Sequence, residues 1–401
     1  MEREGKGRMK KIRYRLLRIG MCALLCAFFA LFASIHANAS ALDSSGQNGG
    51  DIYQEQLDQS GADELVDELP GEARSLLDDL GVDSPDWQAI SDLSAGQIFS
   101  QLGQIAQEQS GGPLKAMLQV VAVMLFCALL EGMKRSLGDR PLSGMVGVVG
   151  ALCVCLIIVA PIVDCVQSSV QIIEGAAAFM LCYIPVLAGL MIAGGQGISA
   201  ASFHLLMVGA GEVITLVSSG VLAPLLNAFL ALSITSSVSP RLHLQHICDL
   251  LYKGVKWLLG ITMTIFIAIL TTQTIIGTAA DSAGTKAVKF AISNFVPLVG
   301  GALSDALNTV QGSIRLIKTG VGAFGILAAG VIFVPVLVRC LLWMATTSLC
   351  ACVGDLFELG QLAGLLRAAG KVLGALLAIL LSCMMILIIS TAIVLMIGGG
   401  A

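Results

Sequence analysis

A carboxylate within an apolar segment is the first residue of this sequence that could do chemistry. Glu212 follows the small residues 209–211 and lies near the middle of a long uncharged run. A charged side chain at membrane depth is costly and by default indicates a functional site, such as a water-filled path or a proton relay. Pairing with a cation on a neighbouring helix explains Glu212 equally well, so both interpretations stay open. Glu174 and Asp281 fall at the ends of apolar segments, where we expect exposure at the membrane interface.

A second unusual stretch combines polar residues with a predicted helix break. Its residues are Ser293, Asn294, Pro297, Gly300 and Gly301. Proline removes a backbone donor, and glycine lets another backbone approach closely, so the pattern predicts a helix that breaks at Pro297. Broken helices at membrane depth are tolerated where they are buried in protein or face water, and in transporters they form ion or substrate sites. A kinked structural helix is the alternative, and Asp305 is expected to cap the helix that follows.

Metal and redox chemistry have weaker candidates. His243 and His246 are three residues apart, which on a helix places both imidazoles on one face, as zinc would require. They have no second cluster of ligands, which favours an amphipathic interfacial helix. The cysteines after residue 39 form no CxxC pair and mostly lie in apolar runs, where cysteine packs as a small hydrophobe. We therefore predict no catalytic residue, no metal and no cofactor.

The composition indicates which elements must position these residues. Of the 401 residues, 56% are apolar and 12% are charged, whereas ordinary globular proteins carry roughly 25% charged residues. The charges are segregated, with eight Lys or Arg and two acids in residues 1–39 and one Arg and fifteen acids in residues 40–112. This pattern argues against a soluble enzyme, a nucleic-acid binder and a secreted disulfide scaffold.

Residues 1–39 have the pattern of a signal peptide. A basic stretch precedes an uncharged run, and Ala37 and Ala39 form an A-x-A site that predicts cleavage before Ser40. An uncleaved membrane anchor is the alternative, and either one places residues 40–112 outside the cytoplasm. In this acidic extracytoplasmic segment we expect short helices, one of them bounded by Pro70 and Gly81. Its acids form either a solvated surface or a docking face for a basic partner.

Residues 113–401 form the predicted multi-span transmembrane domain. Apolar segments of about bilayer length predict an all-α polytopic membrane protein with about seven to nine spans. The predicted spans are Leu114–Leu130, Gly144–Val163, Gly175–Gly194, Phe203–Leu222, Pro224–Val238, Trp257–Gly277, Gly320–Val338 and Val372–Ile397, with Phe290–Leu303 and Cys340–Leu366 as weaker candidates.

Basic residues orient the predicted spans. Lys134, Arg135 and Arg140 place the loop after the first span in the cytoplasm, because basic residues are enriched in cytoplasmic loops. The basic residues within 239–256 place that segment in the cytoplasm too. The chain must then enter and return between residues 203 and 238, turning near Gly220. Glycines in these segments permit close helix packing within one chain or between copies, so homo-oligomerisation is left open.

Residues 281–326 contain the most distinctive sequence motifs in the chain. The segments KAVKF at 286–290, SNFVPLVGG at 293–301 and LSD at 303–305 resemble the stage III sporulation protein AE family of endospore-forming bacteria. The resemblance implies a multi-pass protein of the mother-cell (outer forespore) membrane, with its external segment between the two membranes. It also implies, as partners, the other stage III A-operon proteins and, across that space, stage II sporulation protein Q. The family has no assigned catalytic residues.

Three functions follow as hypotheses. The first is a non-enzymatic subunit of the channel, or feeding tube, between mother cell and forespore. The second is a stand-alone solute or ion permease with a midplane site formed by Glu212 and the Ser293–Asp305 region. The third is a membrane scaffold for rings of partner proteins. The expected partners are membrane lipids and the sporulation proteins, without nucleic acid. The sequence does not identify the molecule that such a channel or permease would carry.

Overall fold

The computed structural model describes residues 61–82, 84–85, 90, 93–137, 143–217, 220, 223–238, 245–295 and 300–396. Every regular element within these residues is a helix, so the predicted all-α class is confirmed for them. Residues 56–401 form one compact unit. The predicted signal peptide, with Ala37, Ala39 and Ser40, lies outside the described residues, and so does Pro297.

The described residues contain one 3-10 helix and eight α-helices. The 3-10 helix is Asp63–Val66, and the α-helices are α1 (Gly71–Asp79), α2 (Ala95–Leu137), α3 (Ser143–Ala193), α4 (Gly197–Val217), α5 (Ala223–Val238), α6 (Gln245–Phe295), α7 (Gly300–Leu356) and α8 (Gly360–Met396).

Local sequence explains the short helix α1. Pro70 occupies its N-cap position, and Leu76 and Leu77 are buried on one face. The helix ends because Gly81 adopts a φ of +75°, which glycine reaches at little cost. The N–H of Val82 then donates to the carbonyl of Leu77 at 3.1 Å. The predicted helix between Pro70 and Gly81 is therefore confirmed.

Six described helices are long and apolar enough to cross a membrane: α2, α3, α4, α6, α7 and α8. The seven to nine predicted spans treated Gly144–Val163 and Gly175–Gly194 as two crossings, but both belong to the continuous helix α3, with Pro161 and Pro185 inside it. Helix α5 has 16 residues, or about 24 Å, which is shorter than a hydrocarbon core of about 30 Å.

Helix α2 also crosses the predicted boundary between the acidic segment and the transmembrane domain. It runs from Ala95 to Leu137, and Pro113 lies buried inside it. Residues 95–112 are therefore the polar first half of a helix whose second half is apolar. The composition changes at residue 113, but the backbone continues without interruption.

Helices α3, α7 and α8 pack side by side over most of their lengths. Helices α7 and α8 stay antiparallel from one end, where Gly354 lies against Ala363, to the other, where Gly322 lies against Leu395. Small residues permit this close approach. At Gly325 a Cβ would overlap the ring of Tyr183 on α3, so only glycine fits beside that ring.

Candidate functional site

A buried polar cluster lies where α4 begins. We define it as Gln196, Ser199, Asp281 and Lys318. The Asp281 carboxylate on α6 accepts hydrogen bonds from the backbone N–H groups of Ile198 and Ser199, both at 2.9 Å. The first N–H groups of a helix lack intrahelical acceptors, and a negative charge is favourable at this end of the helix dipole. Asp281 therefore caps a helix distant in sequence and fixes α4 against α6.

The burial of Asp281 corrects the expectation drawn from sequence. Its placement at the end of an apolar segment predicted interfacial exposure, but the residue is 9% exposed. The reason is tertiary, because the start of α4 covers the carboxylate and supplies donors to it. Nothing local in the sequence around residue 281 indicates that residues 198 and 199 will lie there.

Lys318 on α7 is the buried cation of the cluster. It is 6% exposed, and its Nζ donates to Oε1 of Gln196 at 2.8 Å. Gln196 lies in the turn between α3 and α4, where Gly195 takes a φ of +80° and the Gln196 N–H donates to the carbonyl of Met191 at 2.8 Å. A lysine followed by the long apolar run of α7 was the available signal for a buried role.

Ser199 contributes one unusual atom to the cluster. Its Oγ is buried and has no hydrogen-bond partner among the described residues. It borders a cavity of about 10 Å³ whose polar lining is Ser199, Ser202, Gln273 and Thr274. That volume is close to the space needed by one water molecule, and polar cavities of this size commonly hold one.

The exposed apolar face of α3 is interrupted at its middle by a polar patch, the collar. We define the collar by four exposed side chains on one stripe of the helix: Asp164, Gln167, Gln171 and Glu174. Beside them, Nη1 of Arg339 on α7 donates to Oγ of Ser168 at 3.2 Å. The same stripe is apolar on both sides of the collar, with Leu156 82% exposed and Leu181 49% exposed. The collar therefore separates two apolar surfaces on one continuous helix.

The described part of the acidic segment packs at the collar. A Cβ on Gly175, next to Glu174, would lie 3.1 Å from Cγ of Pro70, and Glu68 lies close to the thiol of Cys182. Its acids otherwise face outwards, and the ion pair between Arg74 and Asp67 at 2.7 Å is exposed on both partners. Exposed ion pairs add little stability, so the apolar side chains of this segment hold it in place.

Glu212 does not join a buried pair in this structure. It lies on α4 with its side chain exposed. Ser199 on the same helix contacts Gly277 and Asp281, so Glu212 is 13 residues, or about 20 Å, from that contact in one direction. Ser293 lies 12 residues, or about 18 Å, beyond Asp281 in the other direction. The structure thus does not bring Glu212 and Ser293 together at one midplane site.

The helix boundaries fall on either side of the predicted break. Ser293 and Asn294 are among the last residues of α6, and Gly300 and Gly301 are the first residues of α7. Asp305 is the sixth residue of α7, so the expected capping role is wrong because the helix begins five residues earlier. Within the part of the chain that the structure describes, no group of three His, Cys, Asp or Glu side chains could hold a metal ion.

Together these features define a polytopic helical membrane protein with a polar collar at mid-length and a buried polar cluster at one end. Its sequence matches a family model, Stage III sporulation protein AE, over residues 87–398. The chain therefore belongs to the stage III sporulation protein AE family.

One curated relative adds to this match. It is the stage III sporulation protein AE of Bacillus subtilis (strain 168), which is 23% identical over 207 residues. The alignment covers 52% of this chain and 52% of the relative, so the chain spans about half the length of the relative that it matches. No solved structure matches the chain.

Proposed function

We propose that this protein is a non-enzymatic membrane subunit of the channel complex that joins mother cell and forespore during endospore formation. The observation that carries the proposal is the family match over residues 87–398, which covers both the collar and the buried polar cluster. The six apolar helices are consistent with a membrane role. In this proposal the polar side chains position helices and partners, and none performs covalent chemistry.

The proposed location is the mother-cell (outer forespore) membrane, reached through a signal peptide cleaved before Ser40. The collar and the acidic segment would then face the space between the two membranes. There the exposed acids of residues 61–82 would meet basic surfaces of the other stage III A-operon proteins or of stage II sporulation protein Q. Helix α5 would add a seventh membrane segment, and the residues around Pro297, between α6 and α7, would shape a conduit or a subunit contact.

An in-frame deletion strain tests the proposal. During sporulation, forespore size and late forespore reporter expression are scored after engulfment. We expect small forespores without late expression, restored to normal by the intact gene. Normal forespores and normal spore numbers in the deletion strain would refute the sporulation role.

The stand-alone permease predicts a different result in reconstituted vesicles. Glu212→Gln would abolish uptake while leaving the protein in the membrane, and no sporulation partner would be needed for activity. The channel subunit predicts no transport by the isolated chain, together with co-purification of the operon partners from sporulating cells. Because Glu212 is exposed, the variant is expected to fold normally, which makes the comparison interpretable.

A further inference from the structure

One end of helix α6 combines basic and aromatic side chains. Lys253 and Lys256 are three residues apart and exposed, and Trp257, which follows Lys256, is 70% exposed. Nζ of Lys256 lies 5.6 Å from the ring centroid of Tyr252, one turn earlier, a distance at which a cation is attracted to an aromatic ring. We infer that this end of α6 binds an anionic phospholipid, whose phosphate contacts the two lysines and whose acyl chain lies along α6.

An open groove runs from these side chains along α6. Gly260 lies one turn after Lys256 and has open space where a side chain would lie. Residues four apart follow one another on a helix face, so Lys256, Gly260 and Thr264 form one strip that leads from a cation to an apolar surface. The groove has a volume of about 540 Å³ and is lined by Lys256, Trp257, Gly260, Ile261, Thr264 and Ile265.

The hydroxyl groups of α6 allow its exposed face to lie in hydrocarbon. An unpaired donor is costly in a bilayer core, where no water can accept its hydrogen bond. On α6 five threonine hydroxyls donate to carbonyl oxygens of the same helix, four residues earlier, at 2.7–2.9 Å: those of Thr262, Thr264, Thr272, Thr274 and Thr278. Only 6% of the apolar part of α6 is buried inside the protein, against 89% for α7. Lipid is therefore the occupant that this face fits.

The lysines and aromatic rings lie where a membrane interface is expected. Trp257 and Asp281 are 24 residues apart on α6, or about 36 Å, which a tilted helix needs to cross a hydrocarbon core of about 30 Å. Residues 258–280 between them carry no charge. Tryptophan and tyrosine are enriched at the interface, and lysines at the ends of spans reach the headgroups. Lys253 and Lys256 are thus placed to meet lipid phosphates.

Charge decides which phospholipid fits this site. Residues 241–257 carry Arg241, Lys253 and Lys256 against a single acid, Asp249, so this part of the chain has a net positive charge. A zwitterionic headgroup brings a cation that the lysines repel, whereas an anionic headgroup such as phosphatidylglycerol brings none. Each lysine near the membrane surface favours an anionic lipid about fivefold. A free phosphate ion would use the lysines alone, but the adjoining groove fits an acyl chain.

Quenching of Trp257 fluorescence by brominated lipids tests this inference. The full-length protein is reconstituted in vesicles of equal parts phosphatidylglycerol and phosphatidylcholine, with bromine on the acyl chains of one lipid or the other. The difference between the wild type and Trp257→Phe gives the signal of Trp257. We expect brominated phosphatidylglycerol to quench Trp257 more strongly, which corresponds to a relative affinity of at least about fivefold.

Variants of α6 separate this site from general effects of charge. The preference should disappear in Lys253→Gln/Lys256→Gln and persist in Lys286→Gln, the matched control, because Lys286 is an exposed lysine near the other end of α6. Gly260→Leu fills the groove and should weaken the preference, whereas Gly284→Leu, where a Cβ also meets open space, should not. These positions are exposed, so the variants are expected to fold normally.

Three outcomes would overturn the inference. Equal quenching by the two brominated lipids in the wild type would mean that unselected boundary lipid covers this end of α6. Quenching by neither lipid would mean that acyl chains do not reach the groove, as when another protein covers it. An equal loss of preference in Lys286→Gln would mean that the net charge of the protein, and not this site, attracts the lipid. The vesicles contain no sporulation partner, so failure here is distinguishable from failure of the proposed function.

Discussion

Replacing Asp281 with alanine removes the carboxylate that accepts the N–H groups of Ile198 and Ser199, each at 2.9 Å. Hydrogen bonds to a charged group contribute about 1.5–3 kcal/mol each when buried. The Ser199 bond is buried, whereas the Ile198 bond is partly buried, so water can replace part of the second contribution. We expect Asp281→Ala to lower the free energy of unfolding by about 2–4 kcal/mol.

The conservative variant separates hydrogen bonding from charge. In Asp281→Asn one side-chain oxygen remains as an acceptor, but the amide nitrogen cannot accept the second N–H. We therefore expect a loss of about half that of Asp281→Ala, or about 1–2 kcal/mol. Because the start of α4 is the element released, proteolysis in the turn between α3 and α4 should also become faster in both variants.

Unfolding in mixed micelles, followed by circular dichroism as the denaturing detergent is increased, measures these changes. Ser282→Ala is the matched control, because Ser282 is the next residue on α6 and is exposed. It should change the free energy of unfolding by no more than about 0.5 kcal/mol. If Asp281→Ala falls within that same range, the carboxylate does not cap α4 in the folded protein and the description of the buried polar cluster is wrong.

Three further predictions use the same structure. Gly325→Ala should lower the free energy of unfolding by about 1–3 kcal/mol, because the added Cβ overlaps the ring of Tyr183. Gly189→Ala is the control and should not lower it, because a Cβ there meets open space. The same detergent titration measures both variants. In intact cells a membrane-impermeant maleimide should label Gln167→Cys in the collar above the wild-type background but not Ile269→Cys on α6, and equal labelling would contradict the lipid-facing position of α6. Glu212→Gln should support normal forespore size in the complemented deletion strain, since its side chain is exposed on α4, and failure to complement with normal protein levels would favour the permease.

The residues at which the short helix α1 begins and ends could be predicted from the sequence. Pro70 and Gly81 bound α1 as expected. These features depend on backbone preferences of proline and glycine, which act over a few residues and need no tertiary partner. The all-α class follows from the length and apolar character of the segments for the same reason.

The continuity of α3 could not be predicted. Residues 164–174 have the composition of a polar loop between two spans, yet the helix passes through them. A stretch of this kind can remain helical when polar side chains face water and a neighbour supplies a partner, as Arg339 does for Ser168. Because Arg339 is 171 residues away, no local pattern around Ser168 contains this information.

The sequence alone determined the membrane character, the charge segregation, the family and the ends of α1, because apolar length, net charge and backbone propensity are local properties. Only the tertiary structure decided that Asp281 and Lys318 are buried at the start of α4, that the collar separates two apolar surfaces of α3, and that Glu212 is far from Ser293. Each of these depends on which helices lie side by side and in what register. Burial and hydrogen bonding are therefore set by residues distant in the chain, whose placement only the packed helices establish.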